Sequence, residues 1–295
     1  MHLGNGRLAE IHALISRIHP LKPQLHMVTV REVQCRSILS DCGITGIAFS
    51  VNPYTGCQHA CVYCYARFML RYRPHTEKWG SFVDVKANAP EVLSQQLKRK
   101  KPALVLLSSV TDPYQPIEAD CNLTRRCLQS LLEADFPISV LTKSALVARD
   151  IDLFKRFTSC EVGLTITTLN ENLRSVIEPV ASTSGSRLEA LKRLQDAGVQ
   201  TYAFIGPILP ILGEETLENL ISELCSVGVG RVLVDRLNIK AGNWATIEEA
   251  VSQNYPNQLL PIREALSSGS NYYPQLKERI TPLLTQKGVQ YSFCY

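Results

Sequence analysis

The chain has 295 residues, of which 45% are hydrophobic and 20% are charged, and its formal net charge is +4. Gly and Pro number 16 each, which excludes collagen-like and low-complexity chains, and ten cysteines are too few for a disulfide scaffold. There is no apolar run long enough to cross a bilayer and no apolar secretory core at the N-terminus, so we expect a globular cytoplasmic protein without a membrane segment, whose cysteines are reduced thiols.

Taken in chain order, the sequence predicts a helix around Leu8–Ile18, a Pro-containing connector, and a first strand at Ile47–Asn52. A cysteine-rich segment follows and runs into a helix that ends near Arg71. Apolar runs then alternate with helical segments, which gives the predicted strands Ala103–Leu107, Ile138–Leu141, Glu161–Thr167, Gln200–Ile205 and Arg231–Asp235. The predicted helices between them are Leu123–Glu133, Asp150–Phe157, Arg187–Ala197 and Thr216–Ser226. The chain ends in a helix and a short strand, Val289–Phe293.

Six strand–helix units in succession predict parallel strands joined by right-handed crossovers. That pattern is typical of a doubly wound sheet or of a full or partial (βα) barrel, and six units fall short of the eight in a closed barrel. We expect one compact core, residues 47–240, with an N-terminal extension, 1–46, and a C-terminal extension, 241–295, that packs on the core.

Three cysteines, Cys57, Cys61 and Cys64, follow the first predicted strand with the spacing C-x3-C-x2-C. Soft sulfur ligands select zinc or an iron–sulfur cluster over hard cations. A structural zinc site needs a fourth ligand, and His59 lies so close to its neighbours in the loop that it would strain a tetrahedron. A [4Fe–4S] cluster held by only three cysteines leaves one iron open, as a catalytic site requires.

This spacing, with the aromatic Tyr63 before the last cysteine, resembles the motif of the radical S-adenosylmethionine (SAM) superfamily. The wider run, residues 52–67, is similar to proteins related to spore photoproduct lyase, the DNA-repair branch of that superfamily. The similarity continues through residues 109–118, 206–210 and 242–244. The resemblance implies an α/β fold, a partial (βα)6 TIM-like barrel with N- and C-terminal extensions.

The resemblance also implies two cofactors. Cys57, Cys61 and Cys64 would ligate three irons of a [4Fe–4S] cluster, and SAM would chelate the fourth iron through its amino and carboxylate groups. Reductive cleavage of SAM would give methionine and a 5′-deoxyadenosyl radical, which abstracts hydrogen from a substrate. The protein positions the cofactor and excludes water.

The carboxyl ends of parallel strands meet at one edge of the sheet, which identifies further candidates for SAM binding. Ser108, Ser109, Thr111 and Asp112 follow the second strand and suit the methionine ammonium, although such residues also form an ordinary turn. By family resemblance, Lys143 after the third strand would hold the SAM carboxylate; otherwise it is a solvated loop lysine.

Two later strands supply the remaining cofactor candidates. Thr165 and Thr167 lie on one face of the fourth strand and would point to the barrel interior and the ribose, although β-propensity alone also explains them. Gly206 and Ile208 suit an edge that packs against adenine, because glycine lets a base approach the backbone. Glu178 and Arg187 are weaker candidates for polar contacts.

Tyr63 and Tyr65 flank Cys64, and the resemblance implies a radical relay for tyrosines at these positions; the alternative is that they pack against the cofactors. Spore photoproduct lyase returns a hydrogen atom from a cysteine just past its second strand, where this chain has Ser109 or a neighbour and no cysteine. Cys121 is the nearest thiol in sequence and the candidate substitute. This departure counts against the same repair reaction.

Four basic residues near the motif, Arg67, Arg71, Arg73 and Lys78, stand against one acidic residue, Glu77. They suit an anionic substrate or an acidic flavodoxin- or ferredoxin-type electron donor. Residues 98–101 form a second basic run. We therefore expect a monomeric radical SAM enzyme, lyase- or repair-like, with nucleic acid as the first substrate class by family analogy and a peptide or protein as the second. The rival hypothesis is a non-catalytic iron–sulfur or zinc redox protein.

Overall fold

The structure is a computed structural model that describes residues 28–72 and 76–295. The helix predicted around Leu8–Ile18, and Arg73 of the basic segment, lie outside these residues. The strands are β1 Thr29–Val33, β2 Leu39–Asp41, β3 Phe49–Val51, β4 Tyr54–Thr55, β5 Phe82–Lys86, β6 Val105–Leu107, β7 Ile138–Thr142, β8 Cys160–Thr165, β9 Gln200–Ile208, β10 Arg231–Arg236 and β11 Gln290–Phe293.

The α-helices are α1 Ala89–Leu97, α2 Glu118–Cys121, α3 Leu123–Glu133, α4 Ile151–Phe154, α5 Glu171–Ile177, α6 Ser184–Asp196, α7 Leu217–Val227, α8 Asn243–Asn254, α9 Leu259–Ala265 and α10 Tyr272–Gln286. Three 3-10 helices accompany them: Tyr65–Arg71, Ala145–Asp150 and Pro256–Gln258. Within the described residues, no helix combines the length and the hydrophobicity needed to span a lipid bilayer.

Eight strands form the main sheet in the order β11-β10-β9-β8-β7-β6-β3-β2. All neighbours from β3 to β11 are parallel, and only β2 is antiparallel to its neighbour. The six predicted units, which begin at β3, β6, β7, β8, β9 and β10, are therefore confirmed. The C-terminal strand β11 adds a seventh parallel strand, and β2 and β11 are free edges of the sheet. This is the predicted α/β fold with a partial, unclosed barrel.

The two faces of the sheet differ in what covers them. Val140, Val162 and Ile205 are fully buried in the common apolar core with the helices. On the opposite face, the Tyr202 hydroxyl donates to the Val140 carbonyl oxygen at 3.1 Å, and Arg231 pairs with Glu161 at 2.9 Å. These side chains fill the amino-terminal half of the barrel interior, so the open space lies at the carboxyl ends of the strands. We call this open end of the barrel the mouth.

Several elements were not predicted. The small sheet β1-β5-β4 is inserted around the cysteine segment, and its strands have only two to five residues. The helix expected after the cysteines is a 3-10 helix, and the helix expected over Asp150–Phe157 shortens to α4. Helix α5 was missed although Asn170 caps it, with its side-chain oxygen accepting from the N–H groups of Asn172 and Leu173.

Candidate active site

The three motif cysteines lie in one loop that follows β4 at the carboxyl end of β3. Cys57 and Cys61 are buried and Cys64 is half-buried. Two backbone bonds tighten the loop, from the Ala60 N–H to the Cys57 oxygen at 3.3 Å and from the Cys64 N–H to the Cys61 oxygen at 3.1 Å. Burial raises the pKa of all three thiols, that of Cys61 to about 12. The fold therefore gathers three thiols where water is scarce.

The loop is attached to the segment that follows β6. The Gln58 N–H donates to the Gln115 side-chain oxygen at 2.9 Å, and the Ile117 N–H donates back to the Gln58 side-chain oxygen at 2.6 Å. The Thr111 hydroxyl donates to the Gly56 carbonyl oxygen at 2.6 Å. Thr111, which the sequence suggested as a cofactor ligand, thus helps to hold the cysteine loop in place.

Asp112 is buried at the centre of this attachment. Its carboxylate accepts hydrogen bonds from the Thr142 hydroxyl at 2.6 Å, the Lys143 N–H at 2.8 Å and the Tyr114 N–H at 2.9 Å. His59 Nδ1 lies 3.3 Å from its Oδ2. Burial alone would raise the pKa of Asp112, but His59 and these donors hold it well below its usual value. Both carboxylate oxygens are engaged by the protein, which fixes the loop to the end of β7.

Lys143 presents a cation beside the cysteines. No described residue accepts a hydrogen bond from its Nζ, which lies 5.8 Å from the centroid of the Tyr63 ring. Burial lowers the pKa of Lys143, but the charges of Cys61, Glu178 and Asp112 outweigh it, so the net shift is upward. The ammonium stays charged and is available to an anionic ligand.

The Tyr63 side chain is held in position by a hydrogen bond to a buried ion pair. Its hydroxyl donates to Glu178, whose other carboxylate oxygen accepts from the Arg187 guanidinium. Glu178 and Arg187 are both fully buried. Arg187 also donates to the Thr165 carbonyl oxygen at 2.9 Å and to the Ser182 carbonyl oxygen at 2.8 Å. The two weaker candidates of the sequence therefore pair with each other and join the cysteine loop to the ends of β8 and α5.

Tyr65 has the opposite environment. It is 47% exposed, and its hydroxyl donates to the Ser109 carbonyl oxygen at 2.6 Å. The Asn52 side-chain oxygen accepts from the N–H groups of Ser109 and Val110, both at 3.0 Å. Ser108 is buried with a φ of +68°, and its hydroxyl is the buried polar group here without a partner. The exposed Tyr65 phenol, directly after Cys64, is thus held by the segment that follows β6.

Thr165 and Thr167 are both 2% exposed. The Thr167 hydroxyl donates to Glu178 at 3.3 Å, so its side chain joins the buried network around Tyr63. β8 ends at Thr165, two residues earlier than predicted. The Thr165 carbonyl oxygen accepts from Arg187, so both residues are bonded to protein groups of this buried network.

Gly206 and Ile208 lie at the end of β9. A Cβ on Gly206 would come within 2.6 Å of the Phe204 ring and 3.1 Å of the Asp235 Cβ, so a larger residue would displace one of them. Ile208 is fully buried, and its carbonyl oxygen accepts from the Tyr273 hydroxyl at 2.9 Å. Glycine at position 206 is therefore required by the packing of the Phe204 and Asp235 side chains.

The structure does not bring Cys121 to this mouth. Cys121 ends α2, and burial and the charges of Glu118, Asp120 and Glu32 raise its pKa to about 11. Tyr65 is influenced by other groups: burial and Cys64 raise its pKa, and Asp235 and Cys42 add smaller increases. Cys42 lies in the turn between β2 and β3, and its sequence spacing does not suit a metal ligand.

A profile of the radical SAM superfamily matches residues 51–224, more than half of the chain. The chain belongs to the radical SAM superfamily. An uncharacterized protein of Methanocaldococcus jannaschii is 39% identical over 229 residues, which cover 78% of this chain and 85% of that protein. The radical SAM Nalpha-GlyT isomerase of Pseudomonas phage M6 is 27% identical over 202 residues, 67% of this chain and 41% of the isomerase.

The fold of this radical SAM protein matches that of spore photoproduct lyase. A solved variant of that enzyme with bound AdoMet and dinucleoside spore photoproduct superposes with a TM-score of 0.66 and 14% identity, over 98% of this chain and 93% of the lyase. Membership of the superfamily indicates an enzyme and implies a [4Fe–4S] cluster and SAM.

The residues of this radical SAM protein fit those two groups. Three thiols from one loop, without a fourth cysteine in the loop, are the donor set of a cluster with one open iron. In the described part of the chain, no three His, Cys, Asp or Glu side chains are arranged to hold a single metal ion. The Lys143 ammonium, whose charge acts on Cys61 and Cys64, and the buried Ser108 hydroxyl have no hydrogen-bond partner among the described residues.

Proposed function

We propose that this protein is a radical SAM enzyme that abstracts hydrogen from a nucleoside-containing substrate, with Cys57, Cys61 and Cys64 as the cluster ligands. When bound, the cluster and SAM supply a 5′-deoxyadenosyl radical. The observation that carries the proposal is the position of the three thiols of the cysteine loop, the Lys143 ammonium and the exposed Tyr65 phenol at the open end of the barrel.

The protein's own residues divide into binding and positioning groups. Lys143 binds the carboxylate of SAM, because its ammonium is charged and has no other hydrogen-bond acceptor among the described residues. The hydroxyl of Ser108, which is buried without a partner, provides a further donor for the cofactor. Asp112 acts as a positioning residue, since its oxygens are already occupied by the loop that it anchors.

Tyr65 is the candidate for contact with the substrate. It is exposed at the mouth, whereas the neighbouring Tyr63 is 7% exposed and bonded to Glu178. A phenol in this position can return a hydrogen atom to a substrate radical: the O–H bond breaks, a C–H bond forms, and the tyrosine is left as a neutral phenoxyl. Tyr65, rather than Tyr63, is therefore the catalytic tyrosine of the proposal.

A nucleic-acid substrate has two sources of support. The spore photoproduct lyase variant carries a dinucleoside, and the fold is the same. The end of β10 and the loop after it present exposed Arg236, Ile239 and Lys240, and Asp235 of the same strand is among the charges that act on Tyr65. Cations with an exposed aromatic ring suit phosphates and a stacked base. The basic run 98–101 lies near the amino end of β6, opposite the mouth, and takes no part.

The decisive experiment uses the anaerobically reconstituted, reduced protein and SAM. We expect 5′-deoxyadenosine to form, to depend on Cys61, and to increase with a DNA pool more than with RNA or peptide pools. Cys61→Ala is the matched variant without a complete cluster. Equal yields from wild type and Cys61→Ala would refute radical SAM catalysis at this site. Stimulation by peptides alone would refute the substrate class.

A further inference from the structure

A buried tryptophan lies against the cysteine loop from outside the barrel. Trp79 is 9% exposed and forms a small apolar cluster with Cys57, Ala66 and Phe82, against which the half-buried Cys64 also packs. Its ring meets the Phe82 ring edge-on at a centroid separation of 6.1 Å. The side chain therefore covers the Cys57 and Cys64 side of the site.

The turn that carries Trp79 is fixed in position. The Ser81 N–H donates to the Lys78 carbonyl oxygen at 3.0 Å, and the Ser81 hydroxyl donates to the same oxygen at 2.7 Å. Gly80 has a φ of +96°, which favours glycine, and a Cβ there would come within 2.5 Å of the Ala60 Cβ in the cysteine loop. The turn therefore rests directly on the loop, and Trp79 has little freedom to move away.

The indole N–H of Trp79 is buried and has no hydrogen-bond partner among the described residues. A buried donor without a partner is costly, so such groups call for an explanation. The half-buried Cys64 packs against the cluster that Trp79 forms, so its sulfur is the polarisable group on this side of the ring. A neutral thiol is a weak acceptor and a thiolate is a strong one. The unpaired indole N–H can therefore donate a hydrogen bond to the Cys64 sulfur when that sulfur is a thiolate.

Arg67 adds a second donor on the same side. Its Nε is also buried without a partner, and its Nη2 makes only a 3.4 Å contact with the Val62 carbonyl oxygen. Arg67 belongs to the 3-10 helix that starts at Tyr65, directly after Cys64. A guanidinium and an indole N–H therefore both lie by Cys64.

We propose that Trp79 donates a hydrogen bond to the Cys64 sulfur and, together with the Arg67 guanidinium, raises the reduction potential of the cluster. This rests on the proposed function, because it requires the cluster at Cys57, Cys61 and Cys64. Hydrogen bonds to ligand sulfurs and nearby positive charge stabilise the reduced cluster, which carries one more negative charge. Trp79 and Arg67 are positioning residues in this role, since they act through the cluster and touch no substrate.

The test is an EPR-monitored redox titration of the reconstituted protein without SAM. We expect Trp79→Phe, which keeps an aromatic ring but lacks the N–H, to shift the midpoint to a more negative value. The ratio of oxidised to reduced cluster at the wild-type midpoint should rise about tenfold, equivalent to 59 mV for one electron. Arg67→Met should shift it in the same direction. The other tryptophan of the chain, in Trp244→Phe, is the matched control and should leave the midpoint unchanged.

A second readout does not depend on potential. In protein labelled with 15N at the indole nitrogen, pulsed EPR of the reduced cluster should detect a 15N coupling. Trp79→Phe should abolish that coupling, and Trp244→Phe should retain it. A coupling that survives Trp79→Phe, or an unchanged midpoint in that variant, would overturn the inference. A wild-type protein that yields no reducible cluster would instead overturn the proposed function.

Discussion

The Arg187 guanidinium donates to the carboxylate of Glu178, and both side chains are completely buried beneath the cysteine loop. Glu178 in turn accepts from the hydroxyl of Tyr63, which precedes Cys64. A buried ion pair is costly to break from one side, because the remaining charge is left without compensation. The geometry of the cysteine loop thus depends on a charge pair about 120 residues further along the chain.

Arg187→Met should therefore lower the free energy of unfolding by about 3 kcal/mol. Chemical denaturation of the apo protein measures this. The control is Lys192→Ala, which breaks an exposed ion pair with Asp196 on the same helix, 3.1 Å apart, and should cause no measurable change. Equal effects of the two variants would mean that the Glu178–Arg187 pair does not support the fold.

Stability at low pH should report the ionisation of Glu178. Burial opposes its ionisation, but Arg187 and Lys143 outweigh burial, and the pKa of Glu178 lies below its usual value. A lowered pKa contributes stability above the unfolded-state value of about 4.3, and this contribution is lost as the pH falls through the folded-state value. Wild type should lose more stability between pH 5 and pH 3 than Glu178→Gln in thermal melts. Parallel curves would contradict this origin.

Lys143→Ala should weaken SAM binding at least about tenfold, because an ammonium–carboxylate hydrogen bond to a charged group contributes roughly 1.5–3 kcal/mol. Equilibrium dialysis of SAM against the anaerobically reconstituted protein gives the affinity. Lys155→Ala removes an exposed lysine after α4 and is the control. Unchanged affinity in Lys143→Ala, with an intact cluster, would show that the SAM carboxylate binds elsewhere.

Tyr65 and Cys121 make different predictions for the hydrogen donor. Tyr65 is exposed directly after the last motif cysteine, whereas Cys121 ends α2. In D2O without substrate, 5′-deoxyadenosine from the wild type should carry deuterium drawn from the exchangeable phenol of Tyr65. Mass spectrometry should show less deuterium for Tyr65→Phe than for Cys121→Ala. The reverse order would restore Cys121 as the donor.

The local sequence determined the cysteine loop and the alternation of strands and helices. C-x3-C-x2-C predicts the ligand set because three thiols within eight residues can reach one centre without help from distant residues. Helix α3, Leu123–Glu133, forms exactly where it was predicted; its apolar side faces the sheet, so local periodicity and tertiary packing agree. Strands β7 and β10 were predicted to within one residue for the same reason.

Only the tertiary structure decided which polar side chains remain available to a ligand. Asp112, Lys143 and Thr167 look alike in sequence, as polar residues at strand ends, yet in the fold Asp112 and Thr167 are bonded to protein groups and the Lys143 ammonium is not. Likewise, Trp79 reaches the cysteine loop from a segment whose sequence gives no signal for it. The reason is physical: whether a hydrogen-bonding group is occupied depends on partners that are distant in the chain, and these are set by how the strands and loops pack.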